Sequence, residues 1–139
     1  MFSQKRLEEI QQKFHPNCWI CGFNNNKGLK LKFQMTDKGH LSFSFDADKR
    51  VEGYTGLLHG GAVAAILDEA MGNCLFAYDH IAYTADFRLR FKRPVSINNR
   101  ITVHAWIVKS RFPLHKTKAE LSQCGIVKAI ATAKFMEEK

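Results

Sequence analysis

The chain has 139 residues, of which 21 are Lys or Arg and 13 Asp or Glu, for a formal charge of +8, and 45% are hydrophobic. That composition excludes wholesale disorder and leaves room for one domain, residues 1–139, with a real core. The longest apolar stretch, Gly61 to Leu67, stops at Asp68, well short of the roughly 20 residues a membrane span needs, and the opening MFSQKRLEE has no apolar targeting segment. A soluble, cytoplasmic protein without membrane insertion is the expectation.

The elements follow in chain order. Leu7, Ile10 and Phe14 recur at spacings of three and four among charged residues, which predicts a short surface helix. Cys18 and Cys21 then form a single CxxC. A structural zinc needs four ligands, and the nearest extra donors, His15 and His40, do not form a recognisable second half, so no metal is expected. A thioredoxin-type redox role would need the motif at a helix N-terminus in a βαβ setting, which is absent. Reduced, mostly buried thiols are the expectation for all four cysteines, Cys74 and Cys124 included.

Leu29, Leu31, Phe33 and Met35 alternate with polar residues, and Leu41, Phe43 and Phe45 repeat the pattern beyond the turn-like Asp37-Lys38-Gly39. This predicts a hairpin. From Gly61 to Ala77 the sequence is apolar nearly all round and contains no proline, the signature of a buried helix. Four strands follow: Tyr83 to Phe91, ending before Pro94; Ile101 to Ile107; Thr117 to Ser122; and Ile126 to Phe135. The breaks fall at Ser96 to Asn99, Ser110 to Lys116 and Gln123 to Gly125. The pattern predicts an α+β fold, an antiparallel sheet wrapped around one long central helix with a short helix at the N-terminus.

Two carboxylates, Asp68 and Glu69, interrupt the buried helix, and buried charges are seldom left without a partner or a role. Successive helical positions differ by about 100°, so the two point in different directions. His59-Gly60-Gly61 precedes the helix proper, and glycines at a helix N-terminus leave backbone N–H groups accessible at the positive end of the macrodipole. That arrangement suits an anion or an oxyanion.

Taken together, LLHGGAVAAILDEAMG resembles the active-site helix of the hotdog-fold acyl-CoA thioesterases, in the branch similar to the phenylacetate-pathway thioesterase. Cys18-Trp19-Ile20-Cys21-Gly22, Asn24, Gly28-Leu29-Lys30-Leu31, Thr84-Ala85-Asp86 and Arg93-Pro94-Val95 extend the resemblance over most of the chain. It implies a hotdog fold and hydrolysis of an acyl-CoA thioester to free acid and coenzyme A, with no further cofactor. Asp68 would be the catalytic carboxylate, as general base or as nucleophile. Gly60 would supply the backbone N–H that stabilises the oxyanion, and His59 would orient the carbonyl or the loop. Thr84 matches a position that positions water or the nucleophile and that relatives contribute across a dimer interface. Glu69 takes no family role and reads as a hydrogen-bonded structural or interface acid. Some relatives carry Asn or Gln where this chain has Gly53, which leaves the positioning of water open.

Under this reading the positive charge meets the phosphates of coenzyme A, with Arg88, Arg90 and Arg93 as candidate contacts. A homodimer or homotetramer is implied. Nucleic acid is not an expected partner, since no recognised binding motif accompanies the charge. The alternative is a non-catalytic protein that binds acyl-CoA or a lipid ligand in the same pocket.

Overall fold

The computed structural model describes residues 1–138. Helix α1 spans Gln4–Phe14, strand β1 Gln34–Met35, β2 Leu41–Phe45, helix α2 Gly60–Ala77, and strands β3 to β6 Tyr83–Phe91, Ile101–Arg111, Leu114–Gln123 and Ile126–Met136. The six strands form one sheet in the order β1-β2-β4-β5-β6-β3, antiparallel at every pairing. Among the described residues no helix is long and apolar enough to cross a membrane.

The sheet wraps α2 because its inner face is built for close approach. Ala129, Ala131 and Ala133 on β6 and Ala119 on β5 are buried, as are the larger Val103 on β4 and Leu121 on β5. Small residues on the sheet let α2 sit near the backbone, and Ile66, Leu67, Met71 and Leu75, all fully buried, fill the space between them. Burying four such side chains contributes about 1.5–3 kcal/mol each on transfer arithmetic. Helix α1 covers α2 from the other side with Leu7 and Ile10. Its start is fixed twice: Ser3 Oγ accepts the Arg6 N–H at 3.1 Å, and the Ser3 N–H donates to the Ala77 carbonyl at 2.8 Å.

The first predicted strand is mostly not in the sheet. Only Gln34 and Met35 pair with β2; earlier, the Leu29 and Leu31 N–H groups donate to the carbonyls of Trp19 and Ile20, both at 2.9 Å. The alternation seen in the sequence is real, since Leu31 and Phe33 are buried, but the segment's backbone partner is the cysteine loop. The break expected from Ser110 to Lys116 narrows to Phe112 and Pro113, because β4 and β5 extend until the hairpin closes.

Strand β3 carries an irregularity that positions a side chain. Thr84 pairs with Phe135 and Asp86 with Lys134, so the strand spends one extra residue, Ala85, against a single step of β6. Strict alternation from Phe87 would turn Thr84 outward with Arg88 and Arg90. The bulge returns it to the inner face, in register with Phe87, Leu89 and Phe91 opposite Ala133, Ala131 and Ala129.

Candidate active site

Thr84 Oγ1 donates a hydrogen bond of 2.7 Å to Asp68 Oδ1, in the middle of α2. Asp68 is half-buried, and burial raises its pKa above the ordinary carboxylate range; the Thr84 hydrogen bond pulls the other way. The hydroxyl and the carboxylate that meet here belong to one chain. The reason is the bulge at Ala85, which aims Thr84 at its own helix.

At the start of α2, His59 is the N-cap, and its Nδ1 accepts the Gly61 N–H at 2.8 Å. This fixes the imidazole against the first turn. The Gly60 N–H is not used by any backbone or side-chain acceptor among the described residues, and Gly60 is exposed, so the donor faces outward from the helix end. Gly53 packs against His59: a Cβ there would lie 3.0 Å from His59 Cα. A side chain at this position would press on the His59 backbone, which would have to give by a few tenths of an ångström. Glu52 turns away, its Oε2 accepting the Gly56 N–H at 2.7 Å.

Gly60 and Asp68 are eight residues apart on one straight helix, and at 1.5 Å per residue that is about 12 Å along the axis. A single thioester carbonyl cannot touch both groups of one chain. Each does meet β3, however, Asp68 through Thr84 and Gly60 through Phe91, whose ring lies 3.5 Å from the point where a Gly60 Cβ would be. Strand β3 is the free edge of the sheet and is open along most of its length, with Tyr83 61% and Phe91 54% exposed. An unpaired nine-residue edge with apolar residues on it is a template for pairing.

The three arginines separate. Arg93 lines a groove of about 270 Å³ with Gly60, Phe91 and Pro94. Arg88 and Arg90 point to the outer face of the sheet, away from Asp68, where Arg88 borders a shallow depression with Asp86, Lys116 and Lys134. Period-two alternation put Arg88 and Arg90 on one face correctly but did not say which face.

Glu69 points to the α1 side of α2. Its Oε2 lies 2.9 Å from His15 Nδ1 and accepts from Cys21 Sγ at 3.2 Å and from Asn73 Nδ2 at 2.9 Å. Cys18 and Glu69 hold the His15 imidazole well above its ordinary range, and hydrogen bonds from Cys21 and His15 hold the Cys18 thiol well below its own. Neither His15 nor Asn73 was picked out by sequence reasoning as a partner of Glu69. The i, i+4 spacing of Glu69 and Asn73 was the one signal available.

The family model for the thioesterase superfamily matches residues 55–122. The acyl-coenzyme A thioesterase THEM4 of Bos taurus is 28% identical over 109 residues, 78% of this chain and 45% of its own length. The chain thus spans about half the length of that relative. Among solved structures, zebra fish thioesterase superfamily member 2 superposes with a TM-score of 0.76 at 17% identity, covering 94% of this chain and 96% of that one. A Streptococcus mutans protein solved with acetyl-CoA bound gives a TM-score of 0.69 at 16% identity, over 76% of this chain and 88% of that one. The architecture is the hotdog fold, and residues 55–122, which hold the central helix, strands β3 and β4 and all but the last residue of β5, match the model of the thioesterase superfamily.

Proposed function

We propose that the protein hydrolyses an acyl-CoA thioester to the free acid and coenzyme A, as a homodimer in which Asp68 of one copy works with the Gly60 N–H of the other. The observation that carries this reading is the half-buried Asp68 carboxylate, hydrogen-bonded by Thr84 at 2.7 Å beneath an open sheet edge, in a segment matching the thioesterase superfamily.

The placement of β3 supports the dimer. Within one chain the strand runs from Asp68 at its Thr84 end to Gly60 at its Phe91 end. A two-fold, antiparallel pairing of β3 with its copy sets the Thr84 end of one strand beside the Phe91 end of the other. Each Asp68 then faces the helix N-terminus of the second copy, and the separation of about 12 Å within one chain no longer stands between acid and oxyanion donor.

In this site the thioester carbonyl oxygen accepts the Gly60 N–H, which stabilises the negative charge that develops there at the positive end of the helix dipole. Asp68 either takes a proton from the attacking water, or attacks the carbonyl carbon itself to form a mixed anhydride that water then hydrolyses to the free acid, restoring the carboxylate; in both routes the C–S bond breaks and coenzyme A leaves as a thiolate that is then protonated. Thr84 holds the carboxylate, and His59 holds the turn that presents Gly60. Arg93, flanking the same groove as Gly60, is the basic residue best placed to meet a phosphate of coenzyme A. The match to a curated acyl-coenzyme A thioesterase supports this substrate class.

The test is release of free thiol from short, medium, long and aromatic acyl-CoAs. Saturable turnover of at least one class that is lost in Asp68→Asn supports the reading. Tight binding of acyl-CoA without turnover across the panel would overturn it in favour of a binding protein.

A further inference from the structure

Four side chains that the reaction above does not use converge on one point. His15 is the C-cap of α1, Cys18 and Cys21 lie in the loop that follows, and Glu69 comes from the middle of α2. Their donor atoms, one from each residue, all lie within 4.8 Å of one another. Cys21 Sγ is 3.7 Å from His15 Nδ1 and 3.2 Å from Glu69 Oε2, and that oxygen is 2.9 Å from His15 Nδ1. With zinc–sulfur bonds of about 2.3 Å and zinc–nitrogen or –oxygen bonds of about 2.0–2.1 Å, the edges of a tetrahedral site measure about 3.3–3.8 Å. The three edges among His15, Cys21 and Glu69 lie within about half an ångström of those values, and Cys18 Sγ lies within 4.8 Å of each of the other donors.

The surroundings hold these donors in place. The Ile20 N–H points at Cys18 Sγ at 3.4 Å, and the Gly22 N–H closes the loop on the Cys18 carbonyl at 2.9 Å. Only glycine fits at position 22, since a Cβ there would lie 2.3 Å from the Cys18 nitrogen. Asn73, fully buried, donates Nδ2 to Glu69 Oε2 at 2.9 Å and receives Gln11 Nε2 at 2.6 Å, a relay that orients the carboxylate from behind. The Phe76 ring meets His15 edge-on at 5.1 Å.

The charge pattern also asks for a cation. The Glu69 side chain is only 12% exposed, and among the described residues its one basic partner is His15. Two thiols and a carboxylate thus face a single imidazole in a space where desolvated negative charge is costly.

We propose that His15, Cys18, Cys21 and Glu69 bind one transition-metal dication, zinc, which clasps the end of α1 and the cysteine loop to α2. The thiolate donors select a soft or borderline ion over magnesium or calcium. In the bound site both sulfurs are thiolates and His15 is neutral and coordinates through Nδ1, the displaced protons passing to solvent; two thiolates and one carboxylate against a dication leave one net negative charge. All four tetrahedral positions come from protein, so the site is closed and structural. His15, Cys18 and Cys21 are close in sequence, but the fourth donor, Glu69, lies 48 residues beyond Cys21 on another element. The proposal stands apart from the hydrolase reading and survives its failure.

The test uses the full untagged chain, purified under reducing conditions and analysed for all first-row transition metals. About one zinc per chain is expected after incubation with zinc and gel filtration. Cys18→Ser combined with Cys21→Ser should lose it, Glu69→Gln should weaken it at least about tenfold, and Cys124→Ser should keep it. Cobalt in place of zinc should give a thiolate-to-metal charge-transfer band. Less than about a tenth of an equivalent of metal, or equal metal in the double variant, overturns the proposal. Should the double variant not fold, the cobalt spectrum of the unaltered chain decides, and the absence of the charge-transfer band overturns it.

Discussion

Thr84 reaches Asp68, at 2.7 Å, because β3 carries one residue more than the strand beside it. Asp68→Asn keeps an acceptor for that hydroxyl and removes only the charge. The account expects the turnover rate to fall by about 10²–10⁴-fold, with a melting temperature equal to or above that of the unaltered chain, since a half-buried charge is gone. Steady-state kinetics and thermal melts on the same preparation check both.

Thr84→Ala removes the hydrogen bond and keeps the carboxylate. The rate should fall about tenfold or more. With the Thr84 hydrogen bond gone, less opposes the effect of burial on Asp68, so the acid limb of the pH–rate profile should move to higher pH. A merely structural role for Thr84 would leave that limb where it was.

Gly53 leaves no slack behind His59, with 3.0 Å between a would-be Cβ and His59 Cα. Gly53→Asn should therefore displace the N-cap, costing about 1–3 kcal/mol of stability and lowering turnover more than substrate binding. Denaturant melts and the separation of kcat from KM test this.

Two histidines make stability depend on pH. His40, whose Nδ1 lies 2.8 Å from His104 Nε2, is held below its ordinary pKa by burial and then by His104 and Lys38; His80 is held down by burial and by His115, with Glu137 opposing. A depressed folded pKa means that the unfolded chain takes up the proton first. These two groups should therefore cost stability as pH falls below about 6.5. Melting temperatures between about pH 7.5 and 5.5 should fall, and His40→Gln should flatten the decline.

How much of this was legible in the sequence differs from element to element. The helix from Gly60 to Ala77 was plain, because apolar residues all round and no proline leave little else. Strands β4 to β6 were plain from alternation, except at the hairpin through Phe112 and Pro113, where pairing extends past the point at which apolar patterning stops. Leu29 to Phe33 looked like sheet because they are buried alternately, but burial does not name the backbone partner, and here it is the cysteine loop. For the candidate site, residue types and spacing picked out Asp68 and the His59-Gly60-Gly61 start of the helix, and the family resemblance added Thr84. They did not show that Gly60 and Asp68 of one chain are too far apart to act together, nor that the bulge at Ala85 turns Thr84 inward. The gathering of His15, Cys18, Cys21 and Glu69 was invisible for a similar reason: Glu69 joins the other three only through tertiary packing of α1 and its loop on α2.

The central claim, that one site draws on two copies of the chain, is tested most directly by mixing two inactive variants. Gly60→Pro removes the N–H at the first helical position, where proline is otherwise tolerated, and Asp68→Asn removes the acid. After the subunits exchange at equal amounts, half of the dimers are mixed, and each mixed dimer holds one site with Asp68 and the Gly60 N–H both intact. Recovery of about a quarter of the unaltered activity is expected; no recovery, with exchange verified by mass spectrometry, would rule out a site shared between two copies.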